Sequence, residues 1–199
     1  YDFLHFAAHG STKSWIVEGE GVEEELFTRS DVSNLTNTNP MIITTIACST
    51  NCFDGAEPCL SEAFIRHPIG GAIAYLGCSR AGWESHGFTT LGPSYQLNAK
   101  FFKILFPNIS NHFSEIVKLV KIYYQSDALD NNAYRWVVLG NNAIGDAELP
   151  IYTTIPNKFE NLSVCPSGMD LAGAEIELIS MDDREYAFKN EFLEDNKSF

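Results

Sequence analysis

The most informative part of the sequence is MIITTIAC, which runs from Met41 to Cys48. Its apolar and β-branched residues predict a buried strand. The run ends abruptly in STNCFDG, residues 49–55, whose composition is typical of a turn. Because α/β proteins place their working groups at the C-terminal ends of central strands, Cys48 stands where a functional side chain is expected.

A second run of the same kind opens the chain. YDFLHFAA, residues 1–8, is strand-like, and His9-Gly10-Ser11 follows it. If the two strands are parallel neighbours, His9 and Cys48 emerge at the same edge of the sheet. A cysteine nucleophile needs a base beside it, so the two strand ends predict a reactive Cys48/His9 pair.

Two alternatives to this pair remain. Cys52 lies four residues beyond Cys48, and His5 lies on the same strand face as His9. The glycine after His9 favours His9, because no turn follows His5. The His5/His9 spacing does not indicate zinc, since that motif requires a helix and a glutamate after the first histidine.

Composition and length limit the class of protein. The 199 residues are 45% hydrophobic, which is enough for one sizeable core and part of a second domain. No apolar run approaches the roughly 20 residues of a membrane span. The chain opens inside a predicted strand without Met or a signal sequence, so we expect a processed product or a fragment.

The charge balance is strongly acidic. The formal net charge of −13 argues against nucleic acid and anionic membranes as partners. Acidic residues cluster between Glu18 and Glu25 and again beyond Asp170, which predicts solvated surface. Structural calcium is the alternative there, although no EF-hand spacing is present, and we expect no required cofactor or metal.

The five cysteines have no repeating spacing and no CxxC pair. They therefore predict neither a disulfide framework nor a zinc site. Cys59 and Cys78 have apolar surroundings and are interpreted as packed thiols.

The rest of the chain reads as alternating strands and helices up to residue 156. We expect a polar loop over 12–25, a short helix from Thr28, a helix after Pro58, a strand over 72–76, helices over 97–106 and 111–125, a short strand over 136–140, a turn over 141–146 and a boundary near Pro156. Beyond the boundary a period of two predicts short antiparallel strands of a β-sandwich. The expected domains are 1–156 and 157–199.

Several motifs, in this order, resemble those of the gingipain-type cysteine peptidases, the C25 family of the caspase-like clan. They are Ala8-His9-Gly10-Ser11 with Trp15, Cys48 to Asp54, Pro58 to Phe64, Gly70 to Arg80 and Asn142 to Tyr152. The resemblance covers roughly residues 1–156. It implies a caspase-like three-layer α/β sandwich with a mainly parallel sheet, followed by the start of an Ig-like domain.

The resemblance also implies partners and location. Strands that precede the histidine strand in this family are absent here, so an upstream segment or a second chain would complete the sheet. That segment would also carry the acidic partner that orients the histidine. Protein or peptide substrates and a secreted or cell-surface bacterial location are implied.

Site residues follow from the same resemblance. Cys48 is the implied nucleophile, His9 the general acid/base, and the Gly10 and Cys48 amides the oxyanion hole. Substrate contacts are assigned to Trp83, Glu84 and Ala7. Glu84, next to the aromatic wall of Trp83, would select Lys or Arg if buried, although the segment from Cys78 to Trp83 is a residue shorter than in relatives. A transpeptidase and an inactive binding module remain as alternatives to an endopeptidase.

Overall fold

The computed structural model describes residues 1–19, 21–84, 92–152 and 162–166. The strands of this part are β1 Asp2–Ala7, β2 His9–Gly10, β3 Ser14–Gly19, β4 Val22–Thr28, β5 Met41–Thr45, β6 Ala72–Cys78, β7 Asn141–Gly145 and β8 Leu162–Pro166. The helices are α1 Arg29–Val32, α2 Leu60–Ile65, α3 Pro93–Leu105, α4 Phe113–Tyr123, α5 Gln125–Asp130 and α6 Asn132–Gly140.

Five of these strands form one sheet in the order β7-β6-β5-β1-β8. β1 and β5 are parallel neighbours, and their register begins with Asp2 opposite Met41. β5 is also parallel to β6, while β7 runs antiparallel to β6. The sheet is thus mostly parallel, and the two strands that precede His9 and Cys48 lie side by side as predicted.

The sheet is covered on both faces. Ile42 faces a core formed with α3, α4 and α6, and the next residue, Ile43, faces a second core formed with α1, α2 and the β3–β4 hairpin. Successive residues of a strand point to opposite faces, so a run of apolar residues serves both cores. This arrangement confirms the predicted α/β class with a central sheet between two layers.

The prediction of a polar loop over residues 12–25 was wrong, because β3 and β4 form a hairpin there. β2, β3 and β4 make a separate three-stranded antiparallel sheet. Trp15 and Phe27 are directly opposite each other and pack inward, while glutamates occupy most of the exposed positions. An exposed ribbon of this kind needs few apolar residues, and the many glutamates concealed its period of two.

The prediction of a short strand over residues 136–140 was also wrong. Those residues lie in α6, which is capped by the Asn131 side chain accepting from the Ala133 amide. The strand that follows is β7, Asn141–Gly145, in the segment that was predicted to be a turn. The WVVL run has high β propensity, but Val137 and Val138 lie on a helix and are buried in the core that α6 shares with α3 and α4.

Other elements agree with the sequence. Thr28 caps α1 in a capping box with Asp31, and Cys59 and Cys78 are buried thiols. The boundary near residue 156 and the Ig-like domain stay predictions, because most of 157–199 lies outside the described residues. Of that part the structure describes β8, at the edge of the large sheet beside β1.

Candidate active site

Gly10 lies directly against the backbone that carries Cys48. A Cβ atom at Gly10 would stand 2.8 Å from the Ala47 Cβ and 3.0 Å from the Cys48 carbonyl oxygen. Side-chain atoms do not approach this closely, so the contact requires glycine. The two segments that follow β1 and β5 therefore meet at the edge of the sheet, with His9 one residue before the contact and Cys48 within it.

The loop after β5 is held by its own hydrogen bonds. The Thr45 hydroxyl accepts from the Ala47 amide at 3.0 Å, and the Thr50 hydroxyl donates to the Ala47 carbonyl at 3.2 Å. Ser49 adopts a left-handed backbone with φ of 58°, which turns the chain immediately after Cys48. The residues that the sequence predicted as a turn thus hold the backbone of Cys48 in a defined position after β5.

Cys48 is half-buried, and its sulfur accepts a hydrogen bond. The donor is the backbone amide of Gly82, with 3.1 Å between N and Sγ. Gly82 belongs to the segment after β6, so a third strand end reaches the same point. Sequence reasoning did not identify this amide, because a backbone donor has no side-chain signature.

The His9 imidazole lies beside a carboxylate. Its Nε2 atom is 3.8 Å from Oε2 of Glu18, and both side chains are about half exposed. His9 is opposite Ile16 in the β2–β3 register, so Glu18 is the diagonal neighbour on the same face. The resemblance implied an acidic partner from upstream sequence, whereas this carboxylate comes from the hairpin downstream.

His5 is occupied in the sheet. Its Nδ1–H donates to the Thr44 carbonyl at 3.0 Å, and its Nε2 accepts from the Asn98 amide at 3.1 Å. Burial lowers the pKa of His5 to about 4. Both ring nitrogens are engaged between β5 and α3, which is the arrangement of a packed, neutral core histidine.

Cys52 lies in an exposed cluster with Asp54 and Arg80. The guanidinium makes two hydrogen bonds to the Asp54 carboxylate, at 2.6 and 3.1 Å, and the Cys52 thiol donates to Asp54 at 3.2 Å. Desolvation and the neighbouring carboxylate raise the pKa of Cys52, and Arg80 lowers the pKa of Asp54 to about 2. Asp54 lies in a turn, as its sequence context indicated, and it also forms an ion pair with Arg80.

The residues assigned to substrate binding flank the candidate pair. Trp83 follows Gly82 and is 49% exposed, so it is not a core residue. Glu84 is also exposed, and Ala7 is the last residue of β1. His86, two residues beyond Glu84 in the sequence, lies outside the described residues.

Within the described residues, no group of three or more histidine, cysteine or acidic side chains could hold a metal ion. Calcium remains an expectation for acidic segments, of which Glu20 and the residues beyond Asp170 are not described. No helix in the described part is both long and apolar enough to cross a bilayer.

Comparison with solved structures shows which known fold this chain resembles. The fold is similar to that of gingipain R (RgpB), an Arg-specific cysteine proteinase, with a TM-score of 0.61 and 20% identity. It is also similar to the complex of Porphyromonas gingivalis RgpB pro- and mature domains, with a TM-score of 0.59 and 19% identity, and to a structure described as a protease, with a TM-score of 0.54 and 22% identity. Each covers 78% of this chain, which spans 34%, 35% and 36% of RgpB, the complex and the protease, respectively.

The molecule is therefore an α/β protein of the gingipain fold, with a cysteine and a histidine at the edge of a mostly parallel sheet. More specifically, the chain belongs to peptidase family C25, whose model matches residues 1–152. A search of curated proteins found no match.

Proposed function

We propose that the protein is a cysteine endopeptidase, with Cys48 as nucleophile and His9 as general acid/base. The observation that carries the proposal is the contact of Gly10 with the Cys48 backbone in a chain of peptidase family C25. That contact brings the segment with His9 to the segment with Cys48, although 38 residues separate them in the sequence.

The reaction would proceed through an acyl-enzyme. The Cys48 thiolate attacks the peptide carbonyl carbon, the C–N bond breaks, and His9 protonates the leaving amine. Water then attacks the thioester while His9 accepts its proton. The C–S bond breaks, which releases the acid and restores the thiolate.

The tetrahedral oxyanion would be bound by the amides of Gly10 and Cys48. Donors aimed at the developing charge contribute most to this kind of catalysis. Support comes from the 3.0 Å approach of a Gly10 Cβ position to the Cys48 carbonyl, which shows how closely the two backbones run. A larger residue at 10 would separate them.

Cys52 is the weaker candidate for the nucleophile. Its pKa is raised, and its thiol is already hydrogen-bonded to the Asp54 carboxylate. A carboxylate beside a thiol disfavours the thiolate, which is the reactive form. A guanidinium N–H of Arg80 also donates to the Cys52 sulfur at 3.4 Å, yet the pKa of Cys52 stays raised. At Cys48 the donor to the sulfur is the backbone N–H of Gly82, at 3.1 Å.

Cleavage after Lys or Arg is the finer part of the proposal. Trp83 would form an aromatic wall, Ala7 would line the site at the end of β1, and Glu84 would attract the positive charge. The similar gingipain R is described as Arg specific. Because Glu84 is exposed, its contribution would be screened by salt more than that of a buried carboxylate.

Protein or peptide substrates and a secreted or cell-surface bacterial location accompany this proposal, as the C25 family suggests. The similar RgpB structure is a complex of pro- and mature domains, which supports the proposal that this chain also binds a further protein segment. An upstream segment or second chain that extends the sheet belongs to the same proposal.

The test compares the full-length protein with its Cys48→Ala and Cys52→Ser variants on a diverse peptide library, under reducing conditions with and without calcium. We expect Cys48→Ala to abolish cleavage and Cys52→Ser to retain most of it. Product masses separate two activities, because hydrolysis adds water and transpeptidation adds an acceptor amine. Equal cleavage by the parent and Cys48→Ala would overturn the proposal, and absence of both cleavage and thiol reactivity would favour a binding module.

A further inference from the structure

The segment from Arg80 to Trp83 is fixed at every residue. The Arg80 carbonyl accepts from the Ser49 amide at 3.0 Å, and its side chain pairs with Asp54. The Ala81 carbonyl accepts from the Trp136 indole N–H at 2.8 Å. This segment passes directly beside Cys48.

The far end of the segment is held by α3. The Trp83 amide donates to the Ser94 hydroxyl at 2.9 Å, and the Ser94 amide donates to the Trp83 carbonyl at 3.2 Å. Gly82 lies between these anchors, with its amide 3.1 Å from the Cys48 sulfur. A Cβ at Gly82 would stand 3.0 Å from the Ser94 hydroxyl oxygen and 3.7 Å from the sulfur, so the packing is close.

We propose that the Gly82 amide is a catalytic donor that stabilises the Cys48 thiolate, and that Trp136 is a positioning residue that holds this amide through the Ala81 carbonyl. The inference rests on the proposed role of Cys48 as nucleophile. A hydrogen bond to an ionised sulfur is stronger than one to a neutral thiol, so a fixed N–H favours the reactive form.

The other titratable groups near Cys48 do not replace this donor. Arg80 is turned toward Asp54, and burial raises the pKa of Cys78 to about 12, so Cys78 stays a neutral thiol. The Cys78 thiol faces the Ile46 carbonyl at 3.6 Å. His9 pairs with Glu18 on the side of the hairpin.

Trp136 reaches the site from α6, an element that the sequence placed in a strand. Its ring is 47% exposed, so burial of the side chain does not account for its orientation. The indole N–H instead donates to the Ala81 carbonyl, which belongs to the same planar peptide group as the Gly82 amide. Replacement by phenylalanine removes this donor and retains an aromatic ring.

The test measures alkylation of Cys48 by iodoacetamide in the full-length protein, in a Cys52→Ser background, with Cys48→Ala as blank. Rates at pH 6.5 and pH 9 are compared for the parent, Trp136→Phe and Tyr134→Phe. Tyr134 is the matched control, because it lies on the same helix and its hydroxyl bonds to Gln96 rather than to the segment 80–83. Peptide cleavage is measured on the same preparations.

For Trp136→Phe we expect the rate at pH 6.5 to fall about threefold to tenfold, and the rate at pH 9 to change little, because ionisation is more complete there. Tyr134→Phe should behave as the parent. If the ratio of the rate at pH 6.5 to the rate at pH 9 is the same in Trp136→Phe as in the parent, whether or not both rates fall, the inference is overturned.

Ser94→Ala provides a second route, because it removes one of the two hydrogen bonds that hold Trp83, the one from its amide to the Ser94 hydroxyl. It should reduce the rate at pH 6.5 selectively, by a smaller factor. If Cys48→Ala still cleaves peptides, the proposed function fails. If cleavage depends on Cys48 but neither variant changes the ratio, the inference alone fails.

Discussion

Gly10 and Cys48 are in backbone contact just beyond the ends of β1 and β5, which are neighbouring parallel strands. The Cβ position of Gly10 is 3.0 Å from the Cys48 carbonyl oxygen and 2.8 Å from Cγ2 of Thr50. The distance between the candidate acid/base and the candidate nucleophile is therefore set by a position that has no room for a side chain.

Gly10→Ala should lower kcat/KM by about 100-fold or more, because the methyl group forces apart the amides proposed to bind the oxyanion. The measurement is cleavage kinetics of the full-length protein, with thermal unfolding in parallel. Gly55→Ala is the matched control, since a Cβ there would be 3.5 Å from its nearest neighbour. Equal activity of both variants would contradict the prediction.

His5 should make the fold sensitive to acid. Its pKa is about 4 in the folded protein, compared with 6.5 for an unperturbed histidine, so the unfolded state binds a proton first as the pH falls. Stability should decrease between about pH 6.5 and pH 4, by on the order of 3 kcal/mol from this group. Above pH 6.5 the group should have no effect.

The measurement compares urea unfolding of Cys48→Ala protein with and without His5→Gln at pH 7 and pH 4.5. We expect His5→Gln to reduce the difference between the two values of pH. His112→Gln is the control, since His112 is exposed. A pH dependence unaffected by His5→Gln would show that other groups dominate acid unfolding.

Alanine substitutions at two tryptophans should have different effects, one on stability and the other on substrate binding. Trp15 is 5% exposed and stacks on Phe6 with 4.8 Å between ring centroids, and its N–H donates to the Tyr75 hydroxyl at 3.3 Å. Trp15→Ala should cost about 3–5 kcal/mol of unfolding free energy. Trp83→Ala should change stability little and raise KM, because Trp83 is exposed beside Cys48.

Calorimetry and initial rates on the same samples test this contrast. A large loss of stability in Trp83→Ala would make that residue a packing element. An unchanged unfolding temperature in Trp15→Ala would contradict its place in the core.

Glu18→Gln should lower kcat about twofold to fivefold at low salt, because the carboxylate favours one orientation of His9. The effect should disappear near 1 M salt, since both side chains are exposed. Glu23→Gln is the control, because Glu23 is opposite Glu18 in the hairpin register. Equal effects of the two substitutions would indicate a general surface potential rather than a specific pair.

The sequence predicted the large sheet better than its surroundings. MIITTIAC and the first eight residues are apolar on both faces, which is characteristic of interior parallel strands, and they do lie side by side. The position of Cys48 after β5 and of His9 after β1 followed from this. The contact at Gly10 could not be predicted, because it depends on the register between strands.

Each wrong or missed prediction has its own physical cause. β4 carries three consecutive glutamates because its residues from Val22 to Leu26 are exposed on both faces, so hydrophobicity gave no signal there. WVVL formed a helix because tertiary contacts of Val137 and Val138 outweigh strand propensity. The sequence did not predict the roles of Gly82 and Trp136. The Gly82 donor is a backbone amide, which has no side-chain signature, and Trp136 was predicted in a strand rather than in α6.

His9 belongs to the three-stranded ribbon, whereas Cys48 follows a strand of the large sheet. The candidate reactive pair is thus divided between two β-sheets, which are joined by the packing of Trp15 against Phe6 and by the hydrogen bond from its indole to Tyr75. Local opening of the ribbon would separate His9 from Cys48 and so stop the proposed catalysis. Amide hydrogen exchange over residues 14–28 would then report the fraction of molecules competent for turnover, which a global unfolding curve does not register.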